Sequence, residues 1–471
     1  MNPTDTIQAP TLRSDQALQH ALHRLWTDHA IWTREYVVAA IAQTPDVGAA
    51  ANRLLRNQED IGNAIVPLYG EEGGAALTDL LKQHILIAVD LVAAAMAGDH
   101  EAFGEADGKW DRNAVDIAEF LGNANPNWDK RDVHDLLAQH LELTRGEVVA
   151  RLSKEWTKDI ATFDDIMTEL LTLSDALAAG IVKQFSDRFG DPATDDPAWG
   201  LRRAMDRLWS DHVFWTRNYI VAGLAGAEDA GAAAERLLRN QEDIGNALVP
   251  FYGEQAGAGL TVLLKQHILI AADMVGMANK KQFGEPFEEL EARWSQNAAH
   301  IAGYMNALNP YWPLADVQDL LGQHLFITLE EVRARFEGDW EADVRHFDDI
   351  LTEILTMSAA LSAGLVRQFP DRFPAPPVSA GRVPVPAAAT GGRLPEPPKS
   401  VRWTPERNSA GDARSPEPSP APVEPAPEQP STPAYRAPEQ SSHSENEPGG
   451  RMKWRSTFRN AVFSNRAEVK R

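Results

Sequence analysis

Histidine is the residue in this chain best placed to do chemistry, and its spacing is regular. Four times an Asn is followed 27 residues later by the His of an LL-x-Q-H motif: Asn57 with His84, Asn113 with His140, Asn240 with His267 and Asn297 with His324. His29 and His212 stand in a second recurring string, LW-x-D-H-x-x-W-T-R. Three positions after the Asn residues come Asp60, Asp116 and Asp243, with His300 in the fourth place. Imidazole and carboxylate groups on facing helices are the donors from which bundle cores build zinc or carboxylate-bridged metal sites. The candidate ligands are therefore His29, Asp60, His84, Asp116 and His140 in one half, and His212, Asp243, His267, His300 and His324 in the other. The ion would be divalent zinc, iron or manganese. Pairing Asp60/His84 with Asp116/His140 suits a quasi-twofold site, and Asn57, Asn113, Asp164, Asp165 and Glu169 lie at the edges of the same stripes. A competing reading needs no metal, because a His that donates to Asn or Asp across a helix interface satisfies both partners and fixes register. Neither Glu-x-x-His nor His-Glu-x-x-His occurs.

Other chemistries are harder to seat. With no cysteine there is no thiolate nucleophile, disulfide or Cys-ligated metal. G-x-S-x-G, G-x-G-x-x-G and the P-loop pattern are all missing, so no nucleophile elbow and no phosphate cradle is recognisable. Trp26, Trp32 and Arg34, repeated as Trp209, Trp215 and Arg217, read as buried aromatics with an Arg capping the edge of the core.

The elements that must carry these residues are helices. RLLRNQEDIGNA at 53–64 returns unchanged at 236–247, and LLKQHILIA at 80–88 returns at 263–271, a shift of 183. Later landmarks, such as His140/His324 and Asp164/Asp348, are shifted by 184. A repeat of this length sets the architecture. Within it, Leu22, Leu25, His29, Trp32 and Tyr36 recur at three or four, as do Phe163, Ile166, Leu170, Leu173, Leu177 and Ile181. Breakers at Thr44-Pro45-Asp46, Gly70, Ala97-Gly98-Asp99 and Asn125-Pro126 end the runs. The expected fold is all-α: two tandem antiparallel helical bundles of about six helices each, at 15–189 and 199–373, after an extension at 1–14 and joined by a linker at 190–198.

The remainder is a different kind of chain. Up to Phe373 there are 31 basic against 58 acidic residues, net −27; after it there are 14 against 10, net +4. Nineteen of the 31 prolines also fall after Phe373. Residues 374–450 are expected to be a disordered, partly polyproline linker. Residues 451–471 carry seven Lys/Arg and one Glu, with Trp454, Phe458 and Val462 at i, i+4, i+8 and Phe463 beside them. Such a peptide suits an anionic membrane or a macromolecular partner. Nucleic acid is not expected at the acidic bundles. No stretch of about 18 uncharged apolar residues and no apolar leader is evident, so a soluble, cytoplasmic protein, peripheral to a membrane at most, is expected.

The landmarks LW-x-D-H-x-x-W-T-R, LLRN-x-x-D-x-x-N, a Pro-x-Tyr-Gly turn, LL-x-Q-H, N-P-x-W and V-x-Q-F together resemble an uncharacterised family of small bacterial helical proteins, frequent in Bacillus-type genomes. Some of its members carry the label acetylglutamate kinase. Each repeat matches one whole such protein, which implies the domain limits above. A kinase of that kind needs an α/β fold with glycine-rich phosphate turns, and this sequence provides neither. The leading functional expectation is a non-enzymatic binding or scaffolding protein, its bundles docking a protein or small ligand and its basic peptide acting as a tether. The alternative is a metal-binding bundle built on the repeated His/Asp set.

Overall fold

The computed structural model describes residues 12–190, 196–282 and 284–374. Among them there are twelve α-helices, one short 3₁₀ turn and no strand. Repeat 1 comprises α1 (Ser14–Ala42), α2 (Val47–Ala97), α3 (His100–Ala124), α4 (Lys130–Leu152), α5 (Trp156–Gln184) and the single-turn α6 (Ser186–Phe189). Repeat 2 comprises α7 (Pro197–Ala225), α8 (Ala230–Tyr252), α9 (Glu254–Asn279), α10 (Glu285–Leu308), α11 (Leu314–Glu337) and α12 (Trp340–Gln368). The all-α expectation holds. The basic peptide with Trp454, Phe458, Val462 and Phe463 lies outside the described residues.

Local signals set the boundaries. α2 runs through Gly70, whose φ of 78° and ψ of 169° break the helix, so that it is two helices in line, equivalent to α8 and α9 around Gly253. Pro67 and Pro250 precede these breaks by three residues. The two halves then fold close against each other: a Cβ on Gly62 would stand 2.6 Å from the Gly74 carbonyl oxygen, and one on Gly245 would stand 2.7 Å from that of Gly257. Asp196 caps α7, its Oδ1 accepting from the Ala198 and Trp199 amides, the usual N-cap arrangement.

In each repeat the first and last long helices pack together, α1 on α5 and α7 on α12, with the others closing the bundle. A single apolar core spans both repeats, with Trp32 edge-on to Phe347 at 5.7 Å and Phe163 against Phe214 at 4.6 Å. Arg34 and Arg217 therefore do not cap a core edge. Both are buried in the seam between repeats, Arg34 over Phe163 and Trp215, and Arg217 over Phe347 and Trp32.

α2, α9 and α12 each contain an 18-residue window apolar enough to cross a membrane by length and composition, with at most two charged residues. Because they contain charged residues, these windows are not wholly uncharged stretches. In α12, 72% of that window is buried within the protein.

Candidate functional site: a buried histidine triad in each repeat

α1, α2 and α4 bring His29, His84 and His140 together inside repeat 1. Their ring centres form a triangle with sides of 5.6 Å (His29–His140), 6.1 Å (His84–His140) and 6.4 Å (His29–His84). A point about 3.5 Å from all three centres exists, whereas tetrahedral metal–nitrogen bonds would put the ion about 3.2 Å from each. As the rings stand, no group of three or more His, Asp or Glu among the described residues closes on a metal ion.

The orientation of the rings is more telling than their separation. Each turns its Nδ1 toward an outer partner. His84 Nδ1 lies 2.9 Å from Asn113 Oδ1, His140 Nδ1 lies 3.3 Å from Glu169 Oε2, and His29 Nδ1 lies 3.3 Å from Gln58 Nε2. Asn113 is itself fixed, donating from Nδ2 to the Leu80 carbonyl, so its Oδ1 is the atom facing His84 and His84 Nδ1 must carry the proton. That tautomer leaves the Nε2 lone pair of His84 free, the arrangement in which metal-bound histidines are held by their outer partners. At His29 the relation is reversed: the Gln58 amide nitrogen, which donates to Leu54 O and Asn57 Oδ1, faces Nδ1, so His29 Nδ1 accepts and its proton is on Nε2. Repeat 2 repeats two of these distances, His267 Nδ1 to Asn297 Oδ1 at 3.0 Å and His324 Nδ1 to Glu353 Oε2 at 3.4 Å. The rings of His212 and His324 are 5.5 Å apart.

All six histidines are buried, and burial holds His29, His84, His212 and His267 neutral. It pushes His84 and His267 down to about 3, with His140 and His324 adding to the effect, and it holds His29 and His212 well below the usual imidazole range. Neutral imidazole is the form that binds metals.

Four of the sequence candidates are not part of these clusters. Asp60 is half exposed, 3.9 Å from Arg53, and Asp116, Asp243 and His300 are exposed. Each follows a buried residue of its helix (Gln58, Ala114, Gln241 or Ala298) by two positions, about 200° round the helix, and so faces away from the triad. The quasi-twofold Asp60/His84 and Asp116/His140 pairing is therefore not built. The carboxylates at the site are Glu169 and Glu353. Their signal in the sequence is an acid inside an apolar stripe in both repeats, Phe163-Ile166-Glu169-Leu173 and Phe347-Ile350-Glu353-Met357.

Asp164 and Asp348 serve the seam instead. Arg236 of repeat 2 donates to Asp164 at 2.8 and 3.0 Å, and Arg53 of repeat 1 donates to Asp348 at 2.7 Å. Deeper in the seam, Arg34 binds Asp159 with two bonds of 2.9 Å, Glu147 at 2.5 Å and Asn218 of repeat 2 at 3.2 Å. Arg217 binds Asp343, Glu331 and, across the seam, Glu35 at 3.0 Å. Each repeat thus offers the other the same patch, the geometry of a twofold dimer contained in one chain.

No protein-family model matches the chain, and neither a curated protein nor a solved structure is similar to it. The likeness to the Bacillus-type helical family rests on its motifs alone.

Proposed function

We propose that the protein binds metal, one divalent cation in each repeat, at the histidine triads His29/His84/His140 and His212/His267/His324. One observation carries this reading: three buried histidines from α1, α2 and α4 gather in repeat 1 with ring centres 5.6, 6.1 and 6.4 Å apart, and the equivalent residues of α7, α9 and α11 are buried in repeat 2. A network of hydrogen bonds alone accounts for His84 with Asn113 but not for Glu169, neither of whose oxygens is aligned on a donor. A cation on His140 gives that carboxylate its counter-charge through the ring.

Nitrogen donors without sulfur suit zinc, iron or manganese in the order of ligand softness. Three protein donors leave a coordination position open, as in centres that act on a ligand rather than in closed structural sites. Such a centre in a soluble, cytoplasmic protein completes the proposal, and it moves weight from scaffolding to metal chemistry.

A cation that binds only the folded state stabilises it. Zinc added to chelator-treated protein should raise the melting temperature of the full chain, and His84→Ala/His267→Ala should abolish the rise. An equal rise in that variant would refute the assignment.

A further inference from the structure

Two repeats that present matching patches have a choice of partners. If the patches were identical, repeat 1 would meet repeat 1 of a second copy as readily as it meets repeat 2, and each free repeat 2 would recruit a further copy in an open chain. The choice is settled where the two patches differ.

Glu35 and Asn218 stand at equivalent positions, 183 residues apart, and they touch: Asn218 donates from Nδ2 to Glu35 Oε1 at 3.3 Å. Equivalent residues meet only on the axis that relates the two repeats, so this pair marks it. Both are buried, 5% and 8% exposed. The bonds around them run crosswise. Arg217 donates from Nε to Glu35 Oε2 at 3.0 Å, Arg34 donates from Nε to Asn218 Oδ1 at 3.2 Å, and Asn218 Nδ2 also donates to the Phe214 carbonyl at 3.1 Å. Every polar atom of the two side chains is engaged. The carboxylate supplies acceptors only and the amide supplies the donor between them, so an acid opposite an amide satisfies both.

A like pair fails in two different ways. Two copies of repeat 1 would set Glu35 against Glu35. One oxygen of each would still accept from an Arg34, but the other two would face each other with no proton between them, in a seam where Arg34 already holds Asp159 and Glu147. Like charges that close and that buried repel strongly. Two copies of repeat 2 would set Asn218 against Asn218, and neither Arg217 would have the carboxylate of Glu35. The apolar side opposes that pair as well. Ile31 and Phe214 are equivalents too, each no more than 1% exposed, and they line one cavity of about 40 Å³. Two Phe at that place would overfill it, and two Ile would leave it emptier.

We infer that the seam is an interface with a chosen partner: repeat 1 accepts a repeat 2 and rejects a second repeat 1, with Glu35 opposite Asn218 as the selecting pair and Ile31 opposite Phe214 as its apolar counterpart. The nearest repeat 2 is that of the same chain, so the chain closes on itself rather than adding copies through like repeats.

The test is equilibrium unfolding of the intact chain in denaturant. Asn218→Glu reproduces within one chain the axis of a pair of repeats 1, and Glu35→Asn that of a pair of repeats 2. Asn218→Glu should lower the folding equilibrium constant at least about a hundredfold, and Glu35→Asn about tenfold. Exchanging the pair, Glu35→Asn with Asn218→Glu, puts the acid on the other repeat and should return the constant to within about tenfold of the parent protein, far above the product of the two single losses. Asn218→Glu as stable as the parent, or an exchanged chain as unstable as that product, would overturn the inference. If Asn218→Glu does not fold at all, the exchanged chain decides alone: folding supports the selecting pair, and failure to fold overturns it.

Discussion

The seam between the repeats yields a prediction that can be worked through in numbers. Glu147 and Glu331 are buried, and burial pushes both carboxyls up to about 7, although Arg34 and Arg217 pull the other way. An unfolded chain would release these protons near pH 4.5. The folded state therefore binds more protons than the unfolded state between about pH 4.5 and 7, and stability falls as pH rises through the folded value. Between pH 6.5 and 8 each group should cost about 0.8 kcal/mol and the pair about 1.5 kcal/mol. The buried histidines work in the opposite direction in the same window. His29, His84, His212 and His267 are held well below the usual imidazole range when folded and titrate near 6.5 when unfolded, so each adds about 0.4 kcal/mol of stability between pH 6.5 and 8, roughly 1.6 kcal/mol together. The two effects nearly cancel in the parent protein, so the glutamates are read as a difference. The assay is denaturant unfolding of chelator-treated protein at pH 6.5 and 8, beside Glu147→Gln/Glu331→Gln. The double variant keeps an oxygen for each arginine and should gain about 1.5 kcal/mol more than the parent protein between the two pH values. If parent and variant respond to pH alike, the seam glutamates do not titrate in this window.

Other outcomes follow from the same geometry. Arg34→Met strands Asp159 and Glu147 without their cation and should cost about 3–5 kcal/mol of stability by denaturant unfolding, most of which Arg34→Met with Asp159→Asn and Glu147→Gln recovers. Gly62→Ala forces a methyl onto the Gly74 carbonyl and should cost about 1–3 kcal/mol, measured the same way, whereas Ala at the open Gly48 should be near neutral. Glu169→Gln with Glu353→Gln should weaken zinc about 10–100-fold in competition with a chromophoric chelator while helix content stays unchanged. Equal affinity would show that the carboxylates do not act through His140 and His324.

Much of this is legible in the sequence itself. The internal repeat, the helical stripes and the histidines among the apolar residues all depend on local periodicity, and they reappear as helices with the six histidines inside. The acidic partners were harder to place because a three-residue step looks the same whether it follows the stripe or leaves it. Asp60 lies three past Asn57 but also two past Gln58, and the second relation decides its exposure. Glu169 shares its stripe with Phe163 and Leu173, and the neighbouring Asp164 and Asp165 hid the distinction. The seam was invisible for another reason. Arg34 meets Asn218, and Arg53 meets Asp348, only when one repeat lies against the other, and nothing in the spacing of either repeat encodes that approach.

The central claim is that each repeat holds a metal ion on three histidines. It is tested most directly by the metal content of the purified full chain after exposure to zinc, iron and manganese and removal of the excess, measured by mass spectrometry. The account predicts two equivalents per chain, one in His140→Ala or His324→Ala alone, and less than about a tenth of an equivalent when both are changed. Two equivalents persisting in the double variant, or none in the parent protein, would contradict it.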